Sequence, residues 1–433
     1  MKFSLSACAK TACKADDFCD HYTQRRQLFL RFRRIFMLIS VSLILLIGAF
    51  SGWVCKKLRL PSLLGMMITG VLIGPFALDL IDPSILNISA ELRKIALIII
   101  LTRAGLTLDI NDLKKVGRPA VLMCFVPAVF EIVGMTILAP LLFDISILEA
   151  AVTGAVVAAV SPAVIVPKMI RLIEEGYGTD KSIPQMILAG ASVDDVFVIV
   201  LFTAFTGLAQ GEEISVISFV NIPVSIGLGI ATGLLSGFLL AKFFEKVHIR
   251  DTVKVIIVLS LSFILVTAED SIPWDITFSA LIAIMFIGIA MQKSRKEVSR
   301  RLSVKFNKLW VCAEILLFVL VGAAVDINYV TAAAIPAVLL ILSVLCFRML
   351  GVFLCMIKTK LSLKERLFCM LAYMPKATVQ AAIGGVPLAM GLECGNTVLT
   401  IAVMAILITA PLGAFLIELT HRKLLKHDLN NAQ

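Results

Sequence analysis

Ser192-Val193-Asp194-Asp195 sets two carboxylates side by side in the middle of an apolar stretch, 184–209, that holds no other charge. Adjacent positions on a helix point about 100° apart, so the two cannot share one partner face. The geometry suits one aspartate turned to a cavity and one turned to a buried cation. Two close carboxylates also raise one another's affinity for a proton. Five more charges stand inside apolar runs: Arg103, Glu131, Glu314, Arg348 and Lys376. Each costs roughly 2.5–3.5 kcal/mol at the centre of a membrane helix, and seven left unpaired would cost on the order of 20 kcal/mol. They must pair, face water, or both. The four histidines fall in polar segments, so proton chemistry within the apolar runs is left to carboxylates or lysine.

Helix breakers mark two places near these charges. Ser161-Pro162 and Pro167 interrupt one apolar run. Pro375-Lys376, Gly384-Gly385 and Pro387 interrupt another. Proline removes a backbone hydrogen bond, which lipid tolerates only where protein or a water-filled cavity satisfies the freed groups. Broken helices at corresponding places in two halves point to an ion site in a transporter.

The elements that must position these residues follow from composition. The chain has 433 residues, 59% hydrophobic and only 16% charged, with mean hydropathy +0.99. Soluble domains hold about 25% charged residues. A disordered chain, a nucleic-acid-binding domain and an ordinary cytosolic enzyme are excluded. Apolar runs of spanning length give about 13 transmembrane helices: 35–55, 62–80, 93–108, 119–143, 147–171, 184–209, 214–241, 252–268, 274–291, 308–326, 331–357, 365–390 and 396–419. Trp53, Trp274 and Trp310 are expected as interfacial anchors near span ends. No C-x-x-C pair occurs among ten cysteines, so neither a disulfide framework nor a zinc site is implied.

Loops after odd-numbered spans, with the C-terminus, hold 27 basic and 11 acidic residues; loops after even-numbered spans hold 2 and 12. The basic side is the cytoplasmic side, which puts the C-terminus in the cytoplasm. Residues 1–34 form a basic tail with 8 basic and 3 acidic residues. Helix parity places this tail outside, against its charge. Residues 35–420 form the transporter domain and 421–433 a short cytoplasmic tail. The breaks lie in spans five and twelve, seven apart and therefore antiparallel. The same shift maps the span of Glu131 onto that of Arg348. Inverted repeats are expected over about 35–209 and 252–419, with Glu131 paired to Arg348 between them. Lys376 is expected to balance exposed helix ends and nearby carboxylates, and Ser161 to offer oxygen to an ion. Arg103 and Glu314 are expected to be structural or to line a cavity.

Several stretches resemble the monovalent cation:proton antiporter-2 superfamily: LPSLLGMMITGVLIGP at 60–75, RAGLTLD at 103–109 and AVSPAVIVPKM at 159–169. ASVDDV at 191–196, MPKATVQAAIG at 374–384 and ILITAPLG at 406–413 resemble its NHA branch of sodium/proton exchangers. The resemblance implies a homodimer with a dimerisation part and a mobile ion-carrying core, and two crossed, broken helices beside a double aspartate. It implies Asp195 as the main cation and proton site and Asp194 as its neighbour in an ion-pair network. Ser192 and Pro162 line the site on the same basis. Electrogenic relatives carry a lysine where this chain has Arg348. Arginine stays protonated in proteins, so Arg348 can anchor Asp194 or Glu131 but cannot carry the exchanged proton.

The expected activity is exchange of Na+ or Li+ for H+ at one alternately exposed site, without a cofactor, in a bacterial inner membrane. A K+/H+ exchanger is the alternative; efflux relatives often carry a nucleotide-binding domain after the last span, and no G-x-G-x-x-G unit occurs here. An intramembrane aspartyl protease needs two converging carboxylates, whereas neighbours on one helix diverge. A channel or sensor is the remaining rival.

Overall fold

The computed structural model describes residues 37–58, 60–107, 117–210, 216–247, 249–271 and 278–427. The basic tail 1–34, residues 108–116 and Trp274 lie outside this set, as does the side chain of Ser192. The chain is all α-helical in the described spans. Its helices are α1 (Met37–Lys57), α2 (Ser62–Ile73), α3 (Pro83–Asn87), α4 (Ser89–Thr107), α5 (Arg118–Met123), α6 (Val126–Leu142), α7 (Ile147–Ala158), α8 (Pro162–Glu174) and α9 (Ile183–Gln210). They continue as α10 (Val216–Lys246), α11 (Asp251–Ser271), α12 (Ala280–Ser294), α13 (Lys296–Ala323), α14 (Ile327–Cys355), α15 (Leu363–Ala372), α16 (Thr378–Ile383), α17 (Val386–Ala389) and α18 (Gly395–Leu424). Among the described residues nine segments are long and apolar enough to cross a membrane, and three shorter apolar helices join them. With α4 these answer to the thirteen expected spans.

The fifth and twelfth spans are broken where the prolines fall. Helix α7 ends at Ala158 and α8 starts on Pro162, the first turn being the place where proline costs least. Helix α15 ends at Ala372, and α16 begins only at Thr378. Both broken spans open on a capping box, Ser146 with Glu149 and Ser362 with Glu365. In each box the serine hydroxyl takes the N–H three residues on, and the glutamate takes the serine N–H. From Ser146 to the N-cap Ser161 is the same interval as from Ser362 to the N-cap Ala377. The two spans are built to one plan and run in opposite directions.

The helices pack in two groups. One holds α2, α4 and α10 to α13; the other holds α5 to α9 and α14 to α18. In the first group backbones approach closely. A Cβ on Gly105 would run into the Met285 carbonyl, and one on Gly288 into the backbone of Gly105 and Leu106. Small residues allow such contacts where lipid offers no hydrophobic drive between helices. Leu46 and Phe50 on α1, Leu235 on α10 and Ile264 on α11 are exposed, which fits a lipid-facing perimeter.

One end of the molecule gathers basic side chains. There Lys168 and Arg171 on α8 bond Glu418 on α18 at 2.8 and 2.9 Å, and Lys181 bonds Glu365 at 2.7 Å. Arg301 bonds Asp251 at 2.9 Å.

Four expectations need correction. The tenth span begins at Lys296, not 308, because Val298, Leu302 and Phe306 recur at helical spacing and turn an apolar edge inward, Leu302 and Phe306 fully buried. The second span stops at Ile73, where Gly74-Pro75 ends the helix. Trp310 is only 5% exposed and packs under the Arg103 guanidinium, 5.8 Å away, so it is no interfacial anchor. Trp53 is exposed, as expected, with Lys57 over its ring. His421 is buried on α18 and meets the Tyr177 ring edge-on, although it was read as part of a polar tail.

Candidate functional site

The two breaks cross each other. The Ser161 N–H donates to the Pro375 carbonyl at 2.8 Å, which ties one break to the other through backbone alone. Ending α7 at Ala158 leaves its last carbonyls without helical partners. Side chains from the second break take them. Gln380 Nε2 donates to the Val157 and Ala159 carbonyls at 3.0 and 2.6 Å, and Lys376 Nζ to the Ala158 carbonyl at 3.3 Å. Arg348 Nη1 donates to that same Ala158 carbonyl. The cations sit where the helix dipole favours positive charge.

Around this crossing four charges close a network. Arg348 Nη1 and Lys376 Nζ both reach Glu131 Oε2 at 2.5 Å. Arg348 Nη2 lies 3.3 Å from Asp194 Oδ2, and its Nε donates to the Tyr373 carbonyl at 2.7 Å. The Val160 N–H, at the first break, donates to Asp194 Oδ2 at 2.7 Å. Tyr373 is itself held by its hydroxyl on the Met123 carbonyl at 3.0 Å. All four charged side chains are buried.

Asp195 differs from its neighbour. It is 7% exposed, whereas Asp194 is sealed. Its side chain has no hydrogen-bond or ion-pair partner among the described residues, and its Oδ1 is buried and unsatisfied. Asp194 Oδ1 and the hydroxyls of Ser161 and Thr378 are in the same condition. Ser161 caps α8 without using its hydroxyl, and Thr378 opens α16. The crossing therefore presents unsatisfied carboxylate and hydroxyl oxygens, the ligand type that hard monovalent cations take. Among the described residues no group of three or more His, Cys, Asp or Glu could form a metal cage.

The structure thus brings together Glu131, Asp194, Arg348, Lys376 and Ser161. Pro162 starts the helix beside them, and Asp195 follows Asp194 on α9. Ser192 lies on α9 as expected. Arg103 and Glu314 are half-buried and outside the network; the Arg103 charge acts on both Glu314 and Asp195. The sequence reading missed Gln380, Tyr373 and the Val160 N–H. Only Gln380 left a signal, as a glutamine at the third residue of a helix that follows a break; its Oε1 accepts the Ala377 N–H at 2.8 Å.

Residues 41–422 match the sequence model of a family described as "Sodium/hydrogen exchanger, transmembrane". Sodium/hydrogen exchanger 9B2 of Xenopus tropicalis is 34% identical over 411 residues, covering 90% of this chain and 75% of that one. Its human counterpart is 34% identical over 384 residues, covering 85% and 70%. Human sodium/hydrogen exchanger 9B1 is 31% identical over 381 residues, covering 84% and 73%. The sodium proton antiporter MjNhaP1 of Methanocaldococcus jannaschii shares the fold, with TM-score 0.79 at 22% identity over 90% of this chain and 99% of that one.

Proposed function

Because the chain belongs to the sodium/hydrogen exchanger family, we propose that it exchanges Na+ or Li+ for H+ across a membrane, with Asp195 as the site the two ions share. One observation carries the assignment to Asp195. Arg348 and Lys376 offset Glu131 and Asp194, two charges against two, which leaves Asp195 as the unbalanced carboxylate. A bare carboxylate is costly to move through a low-dielectric barrier. A proton or a monovalent cation removes that cost, so only loaded states cross.

Asp194 has a different part in this scheme. The Val160 N–H and Arg348 fix it, and through them it holds the first break in place. Ser161 and Thr378 supply neutral oxygens, with Asp194 Oδ1, to a cation bound at Asp195. Arg348 stays protonated and anchors. Lys376 neutralises Glu131 and the end of α7. Ser192 and Pro162 line the approach. The group α5–α9 with α14–α18 is the mobile core, and the group of α2, α4 and α10 to α13 serves as the dimerisation part of a homodimer. The double aspartate and the arginine in α14 fit an NHA-type member of the antiporter-2 superfamily. The basic end faces the cytoplasm. A bacterial inner membrane is the proposed setting, although the 9B1 and 9B2 exchangers it resembles in sequence are from vertebrates.

Proteoliposomes with an internal pH dye test the reading. A sodium or lithium gradient should drive a pH change, and potassium should not. Proton competition should lower apparent Na+ affinity as pH falls. Steady exchange by Asp195→Asn would sink the assignment, and current without a pH change would mark a channel.

A further inference from the structure

Away from the crossing, a cavity of about 850 Å3 is lined by residues of both helix groups. Helices α4, α10, α11 and α12 form one side, and the ends of α9, α16 and α17 the other. Among the described residues four charged ones line it. Glu91 and Lys94 are exposed on its α4 wall, with opposite signs, and Glu269 accepts the Ala280 N–H at 3.1 Å. The fourth is Arg93, 8% exposed. Its Nε is tethered to the Ser89 carbonyl at 3.2 Å, but its Nη1 is buried with no partner among the described residues. Room for the guanidinium comes from Gly385, where a Cβ would collide with it. The same cavity holds a second buried donor without a partner, the hydroxyl of Ser279. Ser279 is the N-cap of α12 and makes no side-chain capping bond.

A buried guanidinium N–H is costly to leave unpaired, and the Ser279 hydroxyl can donate beside it, the α12 N-terminal N–H of Ala280 being taken by Glu269. The lining also carries apolar side chains, among them Leu97, Phe202, Leu281 and Val386. The volume lies in the range that holds a small organic ligand and exceeds the need of a simple inorganic anion. We infer that this cavity is a binding site for a small amphipathic carboxylate, its head on Arg93 and Ser279 and its apolar body between α4 and α9. Such a ligand touches both helix groups at once. On the reading that these groups move against each other during exchange, an occupant braces them and inhibits.

The test uses the purified full-length protein with 4-phenylbutyrate as probe and the neutral 4-phenylbutan-1-ol as its control. Thermal shift and calorimetry report binding without any transport. Phenylbutyrate should stabilise saturably and the alcohol should not. Arg93→Gln should weaken binding at least ~10-fold, the loss of one charge-assisted contact. Arg93→Lys should restore part of it. Gly385→Ala should weaken binding with Arg93 still present, because it displaces the guanidinium. Ser279→Ala should weaken it by a smaller factor. These last two variants keep the test decisive should the arginine changes misfold. Equal stabilisation by the alcohol, wild-type binding by Arg93→Gln, or no saturable binding to the wild type would overturn the inference. Asp195→Asn should bind phenylbutyrate normally, so a failed transport assignment and a failed cavity assignment give different results. In vesicles, phenylbutyrate should inhibit exchange by the wild type and inhibit Arg93→Gln less.

Discussion

The two halves of the chain bring opposite charges to one place. At the crossing, the carboxylates Glu131, Asp194 and Asp195 come from the first half, and the cations Arg348 and Lys376 come from the second. Neither half could bury its own charges alone. A break in the first half leaves carbonyls open, and the second half answers with Lys376, Gln380 and Arg348. Inverted repeats of one architecture have become donor and acceptor of each other's unsatisfied groups. Their sum is one negative charge, and it falls on Asp195, which makes no hydrogen bond or ion pair among the described residues. On the function proposed above, structure uses the balanced charges and transport uses the remainder.

The sharpest way to break this division is to remove the remainder. Asp195→Asn should fold as the wild type does, since no hydrogen bond depends on it. Its sodium-driven proton flux should fall by roughly 1,000-fold, the scale of losing a proton-carrying group. Vesicle flux with a thermal-unfolding control checks both parts. A variant that unfolds early would show that Asp195 belongs to the balanced set after all.

Arg348→Met attacks the balanced side. It leaves Glu131 against Lys376 and strips Asp194 of its cation. Breaking a buried pair from one side costs about 3–5 kcal/mol. Thermal unfolding in detergent should show a large loss, before any assay of transport. Adding Asp194→Asn should cost less in the double variant than the two single losses together, with a coupling of about 0.5–3 kcal/mol. Strict additivity would mean that the 3.3 Å contact contributes nothing.

Gln380→Leu tests the neutral part of the exchange between halves. It opens the carbonyls of Val157 and Ala159, and each unsatisfied buried group costs about 1–3 kcal/mol. Stability should fall by that order, with the preference among sodium, lithium and potassium kept. A changed preference with normal stability would move Gln380 into the ion site.

How far the sequence disclosed this arrangement depends on whether a residue's role shows in its charge. Glu131, Arg348, Lys376 and the aspartates are conspicuous because an ion in an apolar run has no cheap explanation. Ser161-Pro162 and Pro375 announced the breaks for the same reason. Gln380 is neutral and the Val160 donor is backbone, so no hydropathy argument reaches them. Helix α13 was misplaced because Lys296 to Lys308 read as a polar loop, while its buried face repeats every three to four residues. Arg93 stands at the edge of the third apolar run, and only the fold puts it against Gly385. The repeat shows in the sequence through its breakers and charges, and the structure adds the paired capping boxes at Ser146 and Ser362, at matching distances from the breaks.

The smallest expected effect separates structure from transport most finely. Ser161 has two jobs available, and the fold uses one: its N–H bonds the Pro375 carbonyl, while its buried hydroxyl bonds nothing. Ser161→Ala keeps the backbone bond and removes an unsatisfied group, so thermal stability should hold or rise slightly. If the hydroxyl meets the cation, apparent sodium affinity should drop about 2–10-fold, the worth of one neutral ligand, with maximal flux little changed. Thr378→Val likewise removes an unsatisfied hydroxyl, at the other break. A drop in both variants puts the cation between the two breaks. A drop in one alone assigns it to that side of the crossing, and the pair of repeats would then be unequal in their neutral ligands as well as in their charges. No change in either removes the hydroxyls from the site and leaves Asp195 to hold the cation with Asp194 Oδ1 and water.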